Sequence, residues 1–204
     1  MGQAKTKNRQ EGMQEEIIKN VASAVRRLAV AASDRLGADC IVHAELAQAL
    51  LAAEGIRAEI ICGFAAWRVG EQDAAVVLHV PMPEAVYAEK EFPFHVWLRV
   101  GNRIFDTTTY QLKRKTEELD LLDGAKTKVS WCPDFLYVKE GNVSSFRDTI
   151  QGHSGRFFYK EDKAISEKIL KTLSFPDEAD LQAAEVLYQH PDMIVLGIND
   201  WERE

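Results

Sequence analysis

Over residues 14–36 apolar side chains return every three or four positions, with Ile17, Ile18, Val21, Ala24, Val25, Leu28 and Ala32 on one stripe and Lys19, Arg26 and Arg27 off it. That spacing predicts an amphipathic helix, which Gly37 stops. Asp39 opens a second helical pattern through Ile41, Val42, Leu46, Ala49, Leu50 and Ala53, closed by Gly55. Ala and Leu dominate it, so it reads as a central helix buried on most sides. The period then changes. Residues 58–67, 74–80 and 94–100 are rich in Ile, Val, Phe and Trp, as buried or half-buried strands are. Gly101-Asn102 separates residues 94–100 from 103–106 in the way a two-residue hairpin loop would. Residues 129–139 offer a further strand, while 81–93 and 111–128 read as long connections. Beyond Glu140 comes a polar stretch with His153 and Gly155, then helical patterns at about 163–173 and 177–189. The sum is an α+β fold: a buried helix packed on an antiparallel sheet, with C-terminal helices added to the same core.

Residues 1–12 carry Lys, Arg, Gln, Gly and Asn without periodicity and read as a disordered tail, which leaves 13–204 as a single domain. A chain of 204 residues, 46% hydrophobic, holds one well-buried core. The net charge of −7 and pI near 5.3 argue against a nucleic-acid or anionic-membrane partner. No run approaches the roughly 20 apolar residues of a membrane span, and the first residues do not resemble a signal sequence, so the expected location is the cytoplasm. Three cysteines do not make a disulfide framework, and each thiol in a reducing compartment needs its own explanation.

Cys40 falls in the first turn of the second helix. Unpaired backbone N–H groups and the positive end of the helix dipole gather there, and both favour thiolate over thiol. The plain alternative is a small buried hydrophobe, the usual state of a free cysteine. The hairpin adds two more groups. With Gly101-Asn102 as its loop, Val100 faces Arg103 and Trp97 faces Asp106, so His95, Trp97 and Asp106 share one face of the sheet. His95 is then diagonal to Asp106 at roughly 7–8 Å between backbones, a gap that an imidazole and a carboxylate can bridge. A three-residue loop would shift the register by one and separate them. Read singly, His95 is also a satisfied core histidine and Asp106 a strand-end turn residue.

The whole segment resembles the core of the transglutaminase-like superfamily, in a small stand-alone member of the bacterial type. Cys40 is followed by the Ala/Leu-rich run 44–51, then by Gly55-Ile56-Arg57-Ala58 and the strand Ile60-Ile61-Cys62-Gly63-Phe64. His95-Val96-Trp97-Leu98 and Ile104-Phe105-Asp106-Thr107-Thr108 resemble that family's histidine and aspartate strands. The resemblance covers residues 37–110, about a third of the chain. It implies a papain-like α+β arrangement with Cys40 as nucleophile, His95 as general base and acid, and Asp106 as the residue that orients His95. It also implies acyl transfer through a thioester, with no cofactor, on the amide of a peptide, a protein or a small molecule. Two departures stand out. The family often has Gly two residues before the cysteine, whereas Asp39 precedes Cys40 here and the nearest glycine is Gly37. The second oxyanion donor, often an upstream aromatic or amide side chain, has no counterpart among residues 25–39.

Trp97 and His43 are the candidate substrate-contacting residues, Trp97 because it adjoins His95 and His43 because it lies one helical turn after Cys40. Cys62 and Cys132 read as structural, and His79 and His153 carry no catalytic assignment. The expected activity is that of a peptidase, amidase, deamidase or amine-transferring acyltransferase. A binding or scaffold protein that keeps the fold without turnover is the alternative, supported by Asp39 beside the thiol. A metal-dependent hydrolase using Cys40, His43 and His79 would need further ligands, since one Cys-x-x-His pair is not a zinc site.

Overall fold

The computed structural model describes residues 2–34, 36–81, 93–171 and 176–199, with side chains from residue 10 onward within these ranges. Helix α1 spans Gly2–Ala32, so the segment expected as a disordered tail has helical backbone from Gly2. The segment holds no proline, and Ala4, Lys5, Lys7, Arg9, Gln10 and Glu11 are good helix formers that continue the packed helix backwards. Packing begins further along: Ile18, Val21, Ala22, Ala24, Val25 and Ala29 are buried. Helix α2 spans Cys40–Ala53 and buries His43, Ala44, Leu46, Ala47, Leu50 and Leu51. Gly55, at φ 71°, turns the chain out of it into the sheet.

The strands are β1 (Glu59–Arg68), β2 (Val76–His79), β3 (His95–Val100), β4 (Arg103–Asp106), β5 (Leu136–Lys139) and β6 (Phe157–Glu161). All pair antiparallel in one sheet, with β3, β4 and β5 following β1 in order. Strand β1 also pairs with both β2 and β6. Its Gly63 lies opposite both His95 and Glu161, and its Ala65 opposite both His79 and Tyr159. Since a strand has two edges, β6 occupies one and β3 and β2 share the other, end to end. His79 ends β2 and His95 begins β3, so the two histidines meet where the sheet divides.

The β3–β4 hairpin has the predicted register, with Val100 opposite Arg103 and Leu98 opposite Phe105. Gly101, at φ 61°, supplies the left-handed conformation that so tight a loop requires. Alternation then sorts the side chains into two cores. Ile60, Cys62, Val96, Leu98, Val100 and Phe105 pack under α1 and α2, while Ile61, Ala65, Trp67, Trp97, Ile104 and Tyr159 form the other cluster.

The C-terminal half is more regular than its sequence suggests. Residues 111–128, expected as a connection, contain α3 (Leu112–Asp123), ended by Gly124 at φ 78°. Only Leu112 and Thr116 of α3 are buried, and Leu121 and Leu122 are exposed, so no amphipathic stripe announces it. The polar stretch after Glu140 contains α4 (Phe146–Gln151) and β6. Helices α5 (Lys163–Leu170) and α6 (Glu178–Gln189) follow, and Ala184 and Leu187 of α6 join the core under α1 and α2. Of the connection expected over 81–93, residues 82–92 lie outside the described residues. No helix among the described residues is long and apolar enough to cross a membrane.

Candidate active site

Cys40 is the first residue of α2 and packs against the core beneath α1 and α2. It also lines a small cavity, about 20 Å³, that reaches Trp67, His79 and His95 on the other side of the sheet division. The thiol therefore stands where the two cores meet. Asp39 holds the N-cap position but makes no capping hydrogen bond. Its carboxylate turns away from the helix start, accepting from Ser33 Oγ at 2.9 Å and from Gln111 Nε2 at 3.0 Å, with His43 Nε2 at 3.3 Å. Burial alone would favour the neutral acid, but His43, Gln111 and Ser33 outweigh it and hold Asp39 below the usual carboxylate range.

His95 Nε2 lies 2.8 Å from Asp106 Oδ2, and both side chains are almost wholly buried. Asp106 is saturated. Oδ2 also accepts from the Tyr159 hydroxyl at 2.6 Å, and Oδ1 accepts from the Thr108 backbone N–H and hydroxyl, each at 2.8 Å. Burial would protonate an isolated carboxylate here, but the His95 charge and these donors hold Asp106 well below its ordinary range. For His95 burial alone would expel the proton. The Asp106 charge and hydrogen bond, with a contribution from the Cys40 thiol, overcome that and keep the ring cationic well above the usual histidine range. With Nε2 engaged, Nδ1 is the buried nitrogen without a hydrogen-bond partner, and the Cys40 thiol lies beside the ring.

Aromatic rings fix this imidazole. Trp67 meets it edge-on at 4.8 Å between centroids, and Trp97 stacks on it at 6.2 Å and 16°. Trp67 Nε1 donates to the Tyr159 hydroxyl at 2.8 Å, which in turn donates to Asp106, so the chain Trp67–Tyr159–Asp106–His95 is continuous. Such a network leaves each member one geometry. Trp97 is only 4% exposed and belongs to the second core, so it supports His95 from within.

His43 is 1% exposed and stacks on Tyr110 at 5.9 Å. It does not line the Cys40 cavity but a separate one of about 410 Å³ between α1 and α2, which shares Asp39 as its wall. Cys62 is buried in β1, and burial pushes its thiol up to about 12. Cys132 donates to the carbonyls of Thr109 and Tyr110. His153 is 3.8 Å from Glu71 with its ring mostly in solvent. Among the described residues no group of three or more His, Cys, Asp or Glu side chains is arranged to hold a metal ion, so Cys40, His43 and His79 do not converge.

Sequence reasoning did not find Tyr159, Gln111 or the place of His79. Tyr159 reaches Asp106 from 53 residues further on in β6, a pairing that no local pattern encodes. Gln111 follows the Asp106 strand in a 3-10 turn (Thr109–Gln111), where Oε1 accepts from the Gly37 N–H at 2.6 Å while Nε2 holds Asp39. The nearest signal for it was the Phe-Asp-x-Thr run itself, since a chain leaving that strand must pass the start of α2.

A solved structure described as "The crystal structure of genomics APC5867" is similar to this chain, with a TM-score of 0.54 and 16% identity over 88% of this chain and 82% of that one. At that identity the likeness shows a shared fold and nothing of the chemistry. No protein-family model and no curated protein matches the sequence.

Proposed function

We propose that this protein is a cysteine-dependent acyltransferase or hydrolase of the transglutaminase-like type, with a papain-like core, acting on amide bonds through Cys40, His95 and Asp106. The observation that carries the reading is the 2.8 Å His95–Asp106 pair, buried beside a thiol at a helix N-terminus. An imidazolium and a helix start both favour thiolate. Thiolate attack on a carbonyl carbon forms the C–S bond and moves the carbonyl π pair onto oxygen. The backbone N–H of Cys40, at the helix start where N–H groups lack intrahelical partners, is the donor this reading assigns to that oxyanion. Collapse expels the amine, which takes its proton from His95, and leaves a thioester on Cys40. Water or a second amine then attacks the thioester, with neutral His95 accepting its proton and Asp106 steadying the returning cation.

Asp39 fits turnover because its charge is engaged by Ser33, Gln111 and His43 rather than left facing the thiol. Hydrolysis is the less demanding outcome, since an acceptor amine needs a site of its own. The test is acylation by p-nitrophenyl acetate followed by intact mass. A single acetyl group on Cys40, released by hydroxylamine and absent in Cys40→Ala, is expected. A wild-type protein modified equally at Cys132, or not at all, identifies a scaffold that keeps the fold without chemistry.

A further inference from the structure

The oxyanion needs a second donor beside the Cys40 N–H, and the cavity lining narrows the choice; this inference rests on the function proposed above. Trp67 Nε1 is committed to Tyr159, and the Thr108 hydroxyl to Asp106. Both hydrogens of the Gln111 carboxamide are engaged, by Asp39 at 3.0 Å and by the Tyr110 hydroxyl at 2.9 Å. His95 holds Asp106 with one nitrogen and serves the thiol with the other. Lys115 is partly exposed, with Nζ 3.9 Å from Glu118, and its ammonium is solvated. His79 remains.

Its ring lies in the same small cavity as Cys40, and Nδ1 is buried with no hydrogen-bond partner. Edge-on contacts fix the ring, to Trp67 at 5.2 Å and to His95 at 5.3 Å between centroids. A buried polar atom without a partner is unfavourable, and a bound acyl oxygen would satisfy it. We propose that His79 is the second oxyanion donor, presenting an imidazole N–H to the carbonyl oxygen of the substrate opposite the Cys40 backbone N–H.

The ring is suited to this. Burial, the adjacent His95 cation and Lys115 push it down to about 3, so it is neutral at working pH and carries one N–H. A neutral donor hydrogen-bonds to the oxyanion without giving up its proton. The proton for the leaving amine therefore still comes from His95, and the carbonyl re-forms when the C–N bond breaks.

Two reagents separate this role from the thiol pair. Iodoacetamide alkylates the thiolate by displacing iodide and forms no oxyanion, whereas p-nitrophenyl acetate must pass through one. In His79→Ala, acetylation of Cys40 should fall by about 10²–10³-fold while alkylation stays near the wild-type rate. His79→Gln, which keeps an N–H donor, should recover part of the loss. Unchanged acetylation in His79→Ala overturns the assignment. So does a parallel fall in both rates, which would mean that the ring only supports the thiol pair, and so does a wild-type protein that is alkylated but never acetylated. A wild type that is never acetylated overturns the function proposed above as well, as does alkylation of Cys40 that does not depend on His95, whereas the two His79→Ala results overturn the His79 assignment alone.

Discussion

His79 and His95 abut at the point where β2 and β3 divide one edge of β1, and their rings stand 5.3 Å apart, one with its pKa pushed down and the other with its pKa raised. Of the two rings only His95 bonds to Asp106, so the Asp106 carboxylate decides which ring is cationic. The other ring is then held neutral by burial and by its charged neighbour. The sheet division thus places a cationic and a neutral imidazole beside one thiol.

That difference makes stability depend on pH. His79 takes its proton at about 3 in the folded protein against about 6.5 in an unfolded chain. Between those values the unfolded state binds a proton that the folded state refuses, so stability falls as pH drops through that window. The melting temperature of His79→Gln should decline less steeply than that of the wild type from pH 6.5 to 4. Equal slopes would contradict the assignment. The His95 contribution has the opposite sign, being complete below about 6.5 and lost as pH rises through its elevated folded value.

Asp106→Asn keeps the shape and removes the charge. His95 should then lose its cationic form at neutral pH, observable as an imidazole NMR titration moved to lower pH. Taking one partner from a buried pair should cost about 3–5 kcal/mol in urea unfolding. A variant as stable as the wild type, with His95 still protonated at pH 8, would contradict this.

Tyr159→Phe deletes one hydroxyl that accepts from Trp67 and donates to Asp106. Leaving the buried indole N–H without a partner should cost about 1–3 kcal/mol. The Asp106 carboxylate should rise toward its ordinary range because one donor is gone, which acid unfolding at a higher pH would register. No change in either measurement would mean that the hydroxyl is not part of the site.

Gly63→Ala tests the division of the sheet. A Cβ at Gly63 would lie 2.1 Å from the carbonyl oxygen of Lys160 and 2.9 Å from the Cα of Glu161, so β6 would have to separate from β1. Overpacking against backbone should cost about 1–3 kcal/mol, seen as a lower urea midpoint at unchanged slope. Wild-type stability would show that β6 does not pair there.

What the sequence made legible is what local chemistry encodes. Gly55 and the Ala/Leu run bounded α2, and Gly101-Asn102 set the register that puts His95 diagonal to Asp106. Helix α6 was visible because its apolar positions recur and Asp177 caps it, accepting from the N–H groups of Ala179 and Asp180. Helix α3 was not, because its exposed Leu121 and Leu122 break the stripe and only Leu112 and Thr116 are buried. The third support of the site was hidden for another reason. Tyr159 and Asp106 are joined only by sheet topology, through β6, β1, β3 and β4, and pairing order is not written in either segment. The neutral state of His79 was equally out of reach, since it depends on which of two adjacent histidines meets the carboxylate.

The most direct test of the account is the rate of iodoacetamide alkylation at Cys40, followed by mass spectrometry from pH 5 to 9 in the wild type and in His95→Ala. A Cys40 thiol activated by the neighbouring His95 should alkylate faster than Cys132, with that advantage lost in His95→Ala. A Cys40 that alkylates no faster than Cys132, or at the same rate in the wild type and in His95→Ala, would contradict it.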